Sequence, residues 1–243
     1  MRSGWPILLC IVSTSVFFPA HTPACAQSSL HPTLAALDSA RRTRDESQLN
    51  LLKTQLNQRI AEYPKDAQAT YYLALVKAYL VDPVEFRKDK KSASAQLDDA
   101  ISTVQHAIEL DEHSSDAHSL LADLLGRKIG YGGMFAGPKL GPKVKEENKR
   151  ALALDDRNPR AWASLGRQYL MAPAMFGGDV SKAIESFQKS LALDPQQDET
   201  WVWLAQAFKK HDEKPRAREA VDKSLQLNPQ SQFARKVAAS LSQ

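Results

Sequence analysis

Small and large apolar residues recur in a regular pattern between Ala67 and Gln230. The pattern is most complete at its end, where the positions are filled by Trp201, Leu204, Ala205, Phe208, Ala217, Val221, Leu225 and Pro229. Apolar residues spaced three and four apart predict amphipathic helices, so each unit predicts a pair of helices, A and B. The small residues allow the two helices to cross closely, while the large ones fill the space beside the crossing.

The connections between successive units have a constant length. A separation of 22 residues recurs between Leu52 and Ala74, Ala100 and Ala122, Val144 and Gly166, and Ala183 and Ala205. Within the units, the distance from helix A to helix B exceeds that of the regular unit by 14, 10, 5 and 0 residues. The extra residues therefore fall between helix A and helix B, and in a stacked solenoid these turns emerge along one edge.

This arrangement of small and large positions resembles the tetratricopeptide repeat (TPR) family, whose unit has about 34 residues. The resemblance implies an all-α helical-hairpin solenoid, a right-handed superhelix, here with long inserted A-to-B loops. We expect a signal peptide at 1–26, a degenerate N-terminal hairpin acting as a cap at 27–64, TPR 1 at 65–114 with the 14-residue insertion, TPR 2 at 115–158 with the 10-residue insertion, TPR 3 at 159–197 with the 5-residue insertion, TPR 4 at 198–231 and a capping helix at 232–243.

The second and third insertions place apolar side chains beside glycines and prolines, whereas surface loops are ordinarily polar. The glycines and prolines of 130–142 predict a loop rather than a long helix. In one interpretation, Phe135 and Phe176 fold back over their own hairpins. In the other, an adaptable apolar recess for a ligand or partner is lined by Tyr131, Met134, Phe135, Met175 and Phe176.

The family's concave groove is lined by helix A positions that carry charged residues in this chain. One hypothesis is a basic strip for an acidic ligand, formed by Arg127, Arg160, Arg167 and Lys209. The alternative is that Asp116 with Arg160, and Asp123 with Arg167, pair between neighbouring helices. Such pairs would fix the stacking and contribute only about 0.2 to 1 kcal/mol each when exposed.

The N-terminal segment indicates export. Arg2 precedes an apolar run from Trp5 to Phe18, which is shorter than the ~20 residues of a membrane-spanning helix. Ala24-Cys25-Ala26 fits the rule for signal peptidase cleavage, so the mature chain is expected to begin at Gln27 in the periplasm or outside the cell. A lipoprotein acylated at Cys25 is the alternative, although the residues before Cys25 lack the expected aliphatic side chain.

Composition and motifs argue against most catalytic chemistry. The two cysteines, Cys10 and Cys25, both lie in the predicted signal, which leaves no thiol for a disulfide, a metal or a nucleophile. Phosphate loops, zinc motifs and Ser-His-Asp arrangements are absent from the sequence, so we expect no cofactor, no metal and no enzymatic activity. A net charge of +4 suits an acidic partner or a membrane surface, and export argues against nucleic acid.

The sequence therefore predicts a scaffold that binds a protein partner through the groove and the inserted loops. A second resemblance suggests an alternative. The segment 173–179, Pro-Ala-Met-Phe-Gly-Gly-Asp, is similar to one in periplasmic TPR components associated with TRAP-type transporters. That similarity would imply a ligand-binding accessory of a transport system, with a small apolar or acidic ligand.

Export predicts a defined mature N-terminus. N-terminal sequencing of the protein recovered from expressing cells should begin at Gln27. A chain that still begins at Met1, or one that begins at an acylated Cys25, would contradict this prediction.

Overall fold

The computed structural model describes residues 31–242, and all the regular structure within that range is helical. The all-α helical-hairpin fold expected from the sequence is confirmed. A 3₁₀ turn at Ala174–Phe176 accompanies eleven α-helices in this part of the chain: α1 (His31–Thr43), α2 (Glu46–Glu62), α3 (Ala67–Phe86), α4 (Lys90–Leu110), α5 (Ser115–Ile129), α6 (Ala136–Leu154), α7 (Pro159–Met171), α8 (Val180–Leu193), α9 (Asp198–Lys210), α10 (Lys214–Leu227) and α11 (Gln232–Leu241).

Four A–B hairpins, α3–α4, α5–α6, α7–α8 and α9–α10, stack in chain order, with α1–α2 before them and α11 after them. Small residues make the crossings possible. A Cβ atom at Gly166 would lie only 2.6 to 2.9 Å from three atoms of the Phe187 ring, so a larger side chain could not be accommodated without displacing that ring. Phe187 is fully buried, and it fills the crossing of α7 with α8.

Polar side chains at the junctions between hairpins explain why the connections have a constant length. Asn158 caps α7 by accepting hydrogen bonds from the backbone, and its Nδ2 donates to Ser115 Oγ at 2.9 Å and to Asp116 Oδ1 at 3.0 Å. Two repeats later, Asn228 Nδ2 donates to Asp198 Oδ2 at 2.9 Å. These buried groups need their partners, so an added or deleted residue at a junction would leave a polar atom unpaired.

The insertions lie between helices A and B, but they do not all form loops. The first lengthens both helices and leaves only 87–89 as a turn. The expected loop over 130–142 is wrong in its second half, because α6 begins at Ala136. Pro138 falls in the first turn, where backbone N–H groups have no helical acceptor, so a proline costs no hydrogen bond there. The third insertion remains a connection, 172–179.

The first helix contacts the last complete repeat as well as its own neighbours. Arg41 of α1 donates from Nη2 to Asp198 Oδ1 at 2.6 Å and from Nη1 to Glu199 Oε1 at 3.1 Å. Arg42 donates to the backbone oxygens of Leu227 at 3.1 Å and Gln196 at 3.2 Å. Two adjacent arginines thus bond α1 to residues of the fourth repeat. The contact between Arg41 and Asp198 joins residues that are 157 positions apart in the sequence.

The predicted signal peptide, the predicted cleavage site and both cysteines lie outside the described residues. Within residues 31–242, none of the helices combines the length and the hydropathy needed to cross a bilayer.

Candidate binding surfaces

The concave groove is lined by helices α3, α5, α7 and α9, and Arg160 lies in the first turn of α7. The suggested pair between Asp116 and Arg160 does not form, and Asp116 Oδ1 accepts a hydrogen bond from Asn158. Arg160 instead donates from Nη1 to the Tyr71 hydroxyl at 2.7 Å. Burial raises the pKa of Tyr71 well above its usual range, so the arginine is held by a neutral hydroxyl. Arg160 remains exposed to solvent.

Arg127 lies in an acidic cluster at the C-terminal end of α3. Its Nη2 is 2.8 Å from Asp82 Oδ1 and 2.9 Å from Glu85 Oε2. Burial raises the pKa of Asp82 to about 6, although the charge of Arg127 acts in the opposite direction. The side chain of Asp82 is 35% exposed, so its carboxyl group can still exchange protons with water.

Arg167 and Asp123 form the pair expected between α7 and α5. Arg167 Nε donates to Asp123 Oδ1 at 3.0 Å, and a second hydrogen bond joins Arg167 Nη2 to Asp123 Oδ2. Two parallel bonds between a guanidinium and a carboxylate fix the orientation of both side chains. This pair therefore positions neighbouring A helices, and it leaves little of the Arg167 charge for a ligand.

The four basic residues proposed as a strip consequently differ from one another. Carboxylates neutralise Arg127 and Arg167, and Lys209 lies at the far end of α9, where its Nζ donates to the backbone oxygen of Ser240 at 3.1 Å. Among the described residues, no carboxylate lies within ion-pair distance of Arg160. The role of these four residues in partner binding stays a prediction, and Arg160 is the member best placed to fulfil it.

The sequence did not indicate the residues that join α1 to the fourth repeat. Arg41 lies between the ring of Tyr79, 6.0 Å from its centroid, and the carboxylates of Asp198 and Glu199. Burial acts to raise the pKa of Asp198, but the hydrogen bond and charge of Arg41 outweigh it and hold that pKa below its usual value. Nothing local in the sequence marks Arg41 as the partner of a residue in the fourth repeat.

Six apolar side chains at the A-to-B turns are exposed, and we call this set the crest: Phe86, Met134, Phe135, Met171, Met175 and Phe176. Phe135 is 78% exposed and Phe176 is 58% exposed, so neither folds back over its hairpin. Tyr131 differs from its neighbours, because it packs against the core and its hydroxyl donates to Glu85 Oε1 at 2.6 Å. The five residues proposed to line one apolar recess therefore do not share one environment.

The described residues contain no group of three or more His, Cys, Asp or Glu side chains arranged to hold a metal ion. His118, a buried histidine of α5, interacts with Glu147 Oε2 at 2.6 Å and with the backbone oxygen of Glu112 at 3.1 Å. Its contacts link α5 to α6 and to the preceding turn, which is a structural role.

Comparison with known proteins identifies relatives by sequence and by fold. Residues 33–243 match the family model described as Regulator of microtubule dynamics protein 1-3. No curated protein matches this chain. Among solved structures, the TPR protein TTC0263 of Thermus thermophilus is similar, with a TM-score of 0.65 and 17% identity over 86% of this chain and 98% of that one. The Pseudomonas aeruginosa pilF structure has a TM-score of 0.44 and 24% identity, covering 69% of this chain and 67% of that one.

The raised pKa of Asp82 predicts a pH-dependent loss of stability. The folded chain holds the Asp82 proton more tightly than the unfolded chain, whose pKa is about 4. Wild type should therefore lose stability relative to Asp82→Asn as the pH rises from about 4 to about 6. Urea unfolding of both proteins across this range measures the difference, with Asp156→Asn, in an exposed turn, as the control for loss of one carboxylate. A difference that is constant with pH, or that grows in the opposite direction, would contradict this assignment.

Proposed function

This chain belongs to the Regulator of microtubule dynamics protein 1-3 family, and we propose that it is a non-catalytic TPR scaffold that binds a protein partner in its concave groove. The TPR fold supports protein–protein interaction in general, but a fold alone does not identify a partner. The side chains that line the groove must therefore indicate which kind of partner binds. Its A helices present tyrosine, arginine and carboxylate side chains.

The proposal rests on the bonding of Arg160, whose side chain donates to the Tyr71 hydroxyl. A guanidinium in a protein groove is ordinarily neutralised by carboxylates, as Arg41, Arg127 and Arg167 are here. Arg160 is held in place by the Tyr71 hydroxyl, and Asp116 acts on its charge only from beyond ion-pair distance. A guanidinium without a directly bonded carboxylate can bind one through two parallel hydrogen bonds. We infer that the partner presents an acidic side chain or a chain terminus to Arg160.

Three groups of ion pairs support this proposal. They are formed by Arg127, by Arg167 and by Arg41 with Asp198 and Glu199. They fix the positions of α1, α3, α5, α7 and α9, so that the groove is formed before the partner arrives. A preformed site loses less conformational freedom on binding than a flexible one.

A ligand-binding accessory of a transport system is the alternative function. Sites for small molecules typically have volumes of about 300 to 1,000 Å³. The two best-defined recesses among the described residues hold about 160 Å³ each, and neither includes Arg160. The shape of the molecule thus favours an extended partner segment over an enclosed small ligand.

Export remains part of the proposal. We propose that the scaffold acts in the periplasm or outside the cell, because residues 1–26 have the organisation of a cleavable signal. The N-terminal sequencing described above tests this part independently of the groove.

The groove proposal predicts a selective effect of one substitution. Arg160→Gln should reduce the recovery of partner proteins from an extract by about tenfold or more, the effect expected for loss of a charge-assisted hydrogen bond. Quantitative affinity capture with immobilised wild type and variant measures the change. Arg157→Gln is the matched control, because Arg157 is an exposed arginine of the hairpin junction three positions away.

The control should recover the same proteins as wild type. Equal recovery with wild type and Arg160→Gln would contradict the proposal, as would an equal loss with both variants. Thermal unfolding of each variant establishes that the comparison is made between folded proteins.

A further inference from the structure

Partner binding in the groove does not account for the exposed apolar side chains of the crest. The described residues include nine large apolar residues classed as exposed, and six of them are crest residues. The other three are Leu51, Tyr63 and Leu193, which lie away from the A-to-B turns. Because the turns of a repeat solenoid share one edge, the crest concentrates exposed apolar surface there. Concentrated surface of this kind marks an interaction site.

The exposure of the crest is built into the backbone of its turns. In the third turn, Gly178 N donates to Pro173 O at 3.0 Å and Asp179 N donates to Tyr169 O at 2.9 Å. A Cβ atom at Gly178 would lie 1.8 Å from the backbone oxygen of Ala172, so only glycine fits this tight approach. Gly177 adopts a left-handed conformation with φ of 90° immediately after Phe176. Hydrogen bonds thus fix the backbone of the turn on which the exposed side chains of Met175 and Phe176 lie.

Basic side chains accompany the apolar ones. Five exposed lysines of the first and second insertions have no ion-pair partner among the described residues: Lys88, Lys90, Lys91, Lys139 and Lys143. Asp89 is the acidic residue of the first turn, and its carboxylate is engaged in capping α4 through Ser92 N at 3.0 Å. The edge therefore presents Phe and Met side chains flanked by unpaired positive charge.

We propose that the crest docks the protein on the surface of a bilayer that contains anionic phospholipids. Aromatic and methionine side chains enter the boundary between headgroups and acyl chains, while the lysines stay among the anionic headgroups. Charge complementarity selects this occupant. The shape of the crest also favours a bilayer over a protein partner. Hot spots of protein interfaces fit into pockets that exclude water. Neither of the two best-defined recesses among the described residues is lined by a crest residue.

Docking through the crest leaves the groove accessible. The crest belongs to the A-to-B turns, while Arg160 lies in the first turn of α7, at the opposite end of the A helices. A membrane-bound molecule could therefore hold a protein partner at the same time. The two surfaces are independent, and each is tested by a variant that leaves the other intact.

Vesicle sedimentation tests the proposal, using protein purified without detergent from the soluble fraction of expressing cells. Wild type should bind vesicles of mixed phosphatidylcholine and phosphatidylglycerol, should bind phosphatidylcholine vesicles far more weakly, and should dissociate as salt is added. Replacing Met134, Phe135, Met175 and Phe176 together by serine should weaken binding by about tenfold or more, because the inserted apolar area is lost. These side chains are exposed, so the variant should fold normally.

Three further variants separate the contributions. Leu51→Ser with Leu193→Ser removes exposed apolar side chains away from the crest and should bind vesicles as wild type does. Replacing the five lysines by glutamine should abolish the dependence on phosphatidylglycerol. Arg160→Gln should keep full vesicle binding, whereas the crest variant should keep protein capture through the groove.

The proposal is overturned if wild type does not bind anionic vesicles at low salt, or if the four-serine variant binds them as well as wild type. It is also overturned if vesicle binding is absent and the four-serine variant loses captured proteins, since the crest would then be a protein interface. Failure of the groove proposal would leave the vesicle results unchanged.

Discussion

Asp198 is a buried carboxylate that needs a cation, and Arg41 supplies it from the first helix of the described chain. The side chain of Asp198 is only 1% exposed, and that of Arg41 is 11% exposed. Leaving either charge buried without the other would cost several kcal/mol, about 3 to 5 for typical buried pairs. Asn228 donates a further hydrogen bond to Asp198 from the following junction. Three regions that are distant in sequence thus meet at one carboxylate, and their meeting fixes the shape of the groove.

Groove and crest arise from different properties of the same repeat. The groove follows from the regular part, where helix A positions face inward and junction residues such as Asn158 hold neighbouring hairpins at a constant distance. The crest follows from the irregular part, where insertions lengthen the A-to-B connections without disturbing the stacking. Substitutions at the turns can therefore change one surface while the other is preserved. The proposed protein and membrane partners would therefore contact separate parts of the domain.

Sequence periodicity was sufficient for the helices and their stacking, because crossings such as Gly166 with Phe187 require small and large residues at fixed intervals. It was insufficient for the second insertion, where composition indicated a loop but α6 begins at Ala136 and includes Pro138 and Pro142. The Asp123 and Arg167 pair could be predicted from equivalent repeat positions. The pairing of Arg41 with Asp198 could not, since it depends on how far the solenoid curves over 157 residues.

The bonds between α1 and the fourth repeat set the shape of the groove. Pulsed electron paramagnetic resonance distances between spin labels at Ser39 on α1 and Gln226 on α10 measure this arrangement, in a chain whose Cys10 and Cys25 are replaced by serine. Both labelled positions are exposed. We expect one narrow distance distribution, which broadens when Arg41 and Arg42 are both replaced by glutamine. A broad distribution with both arginines present, or a narrow one that is unchanged without them, would contradict it.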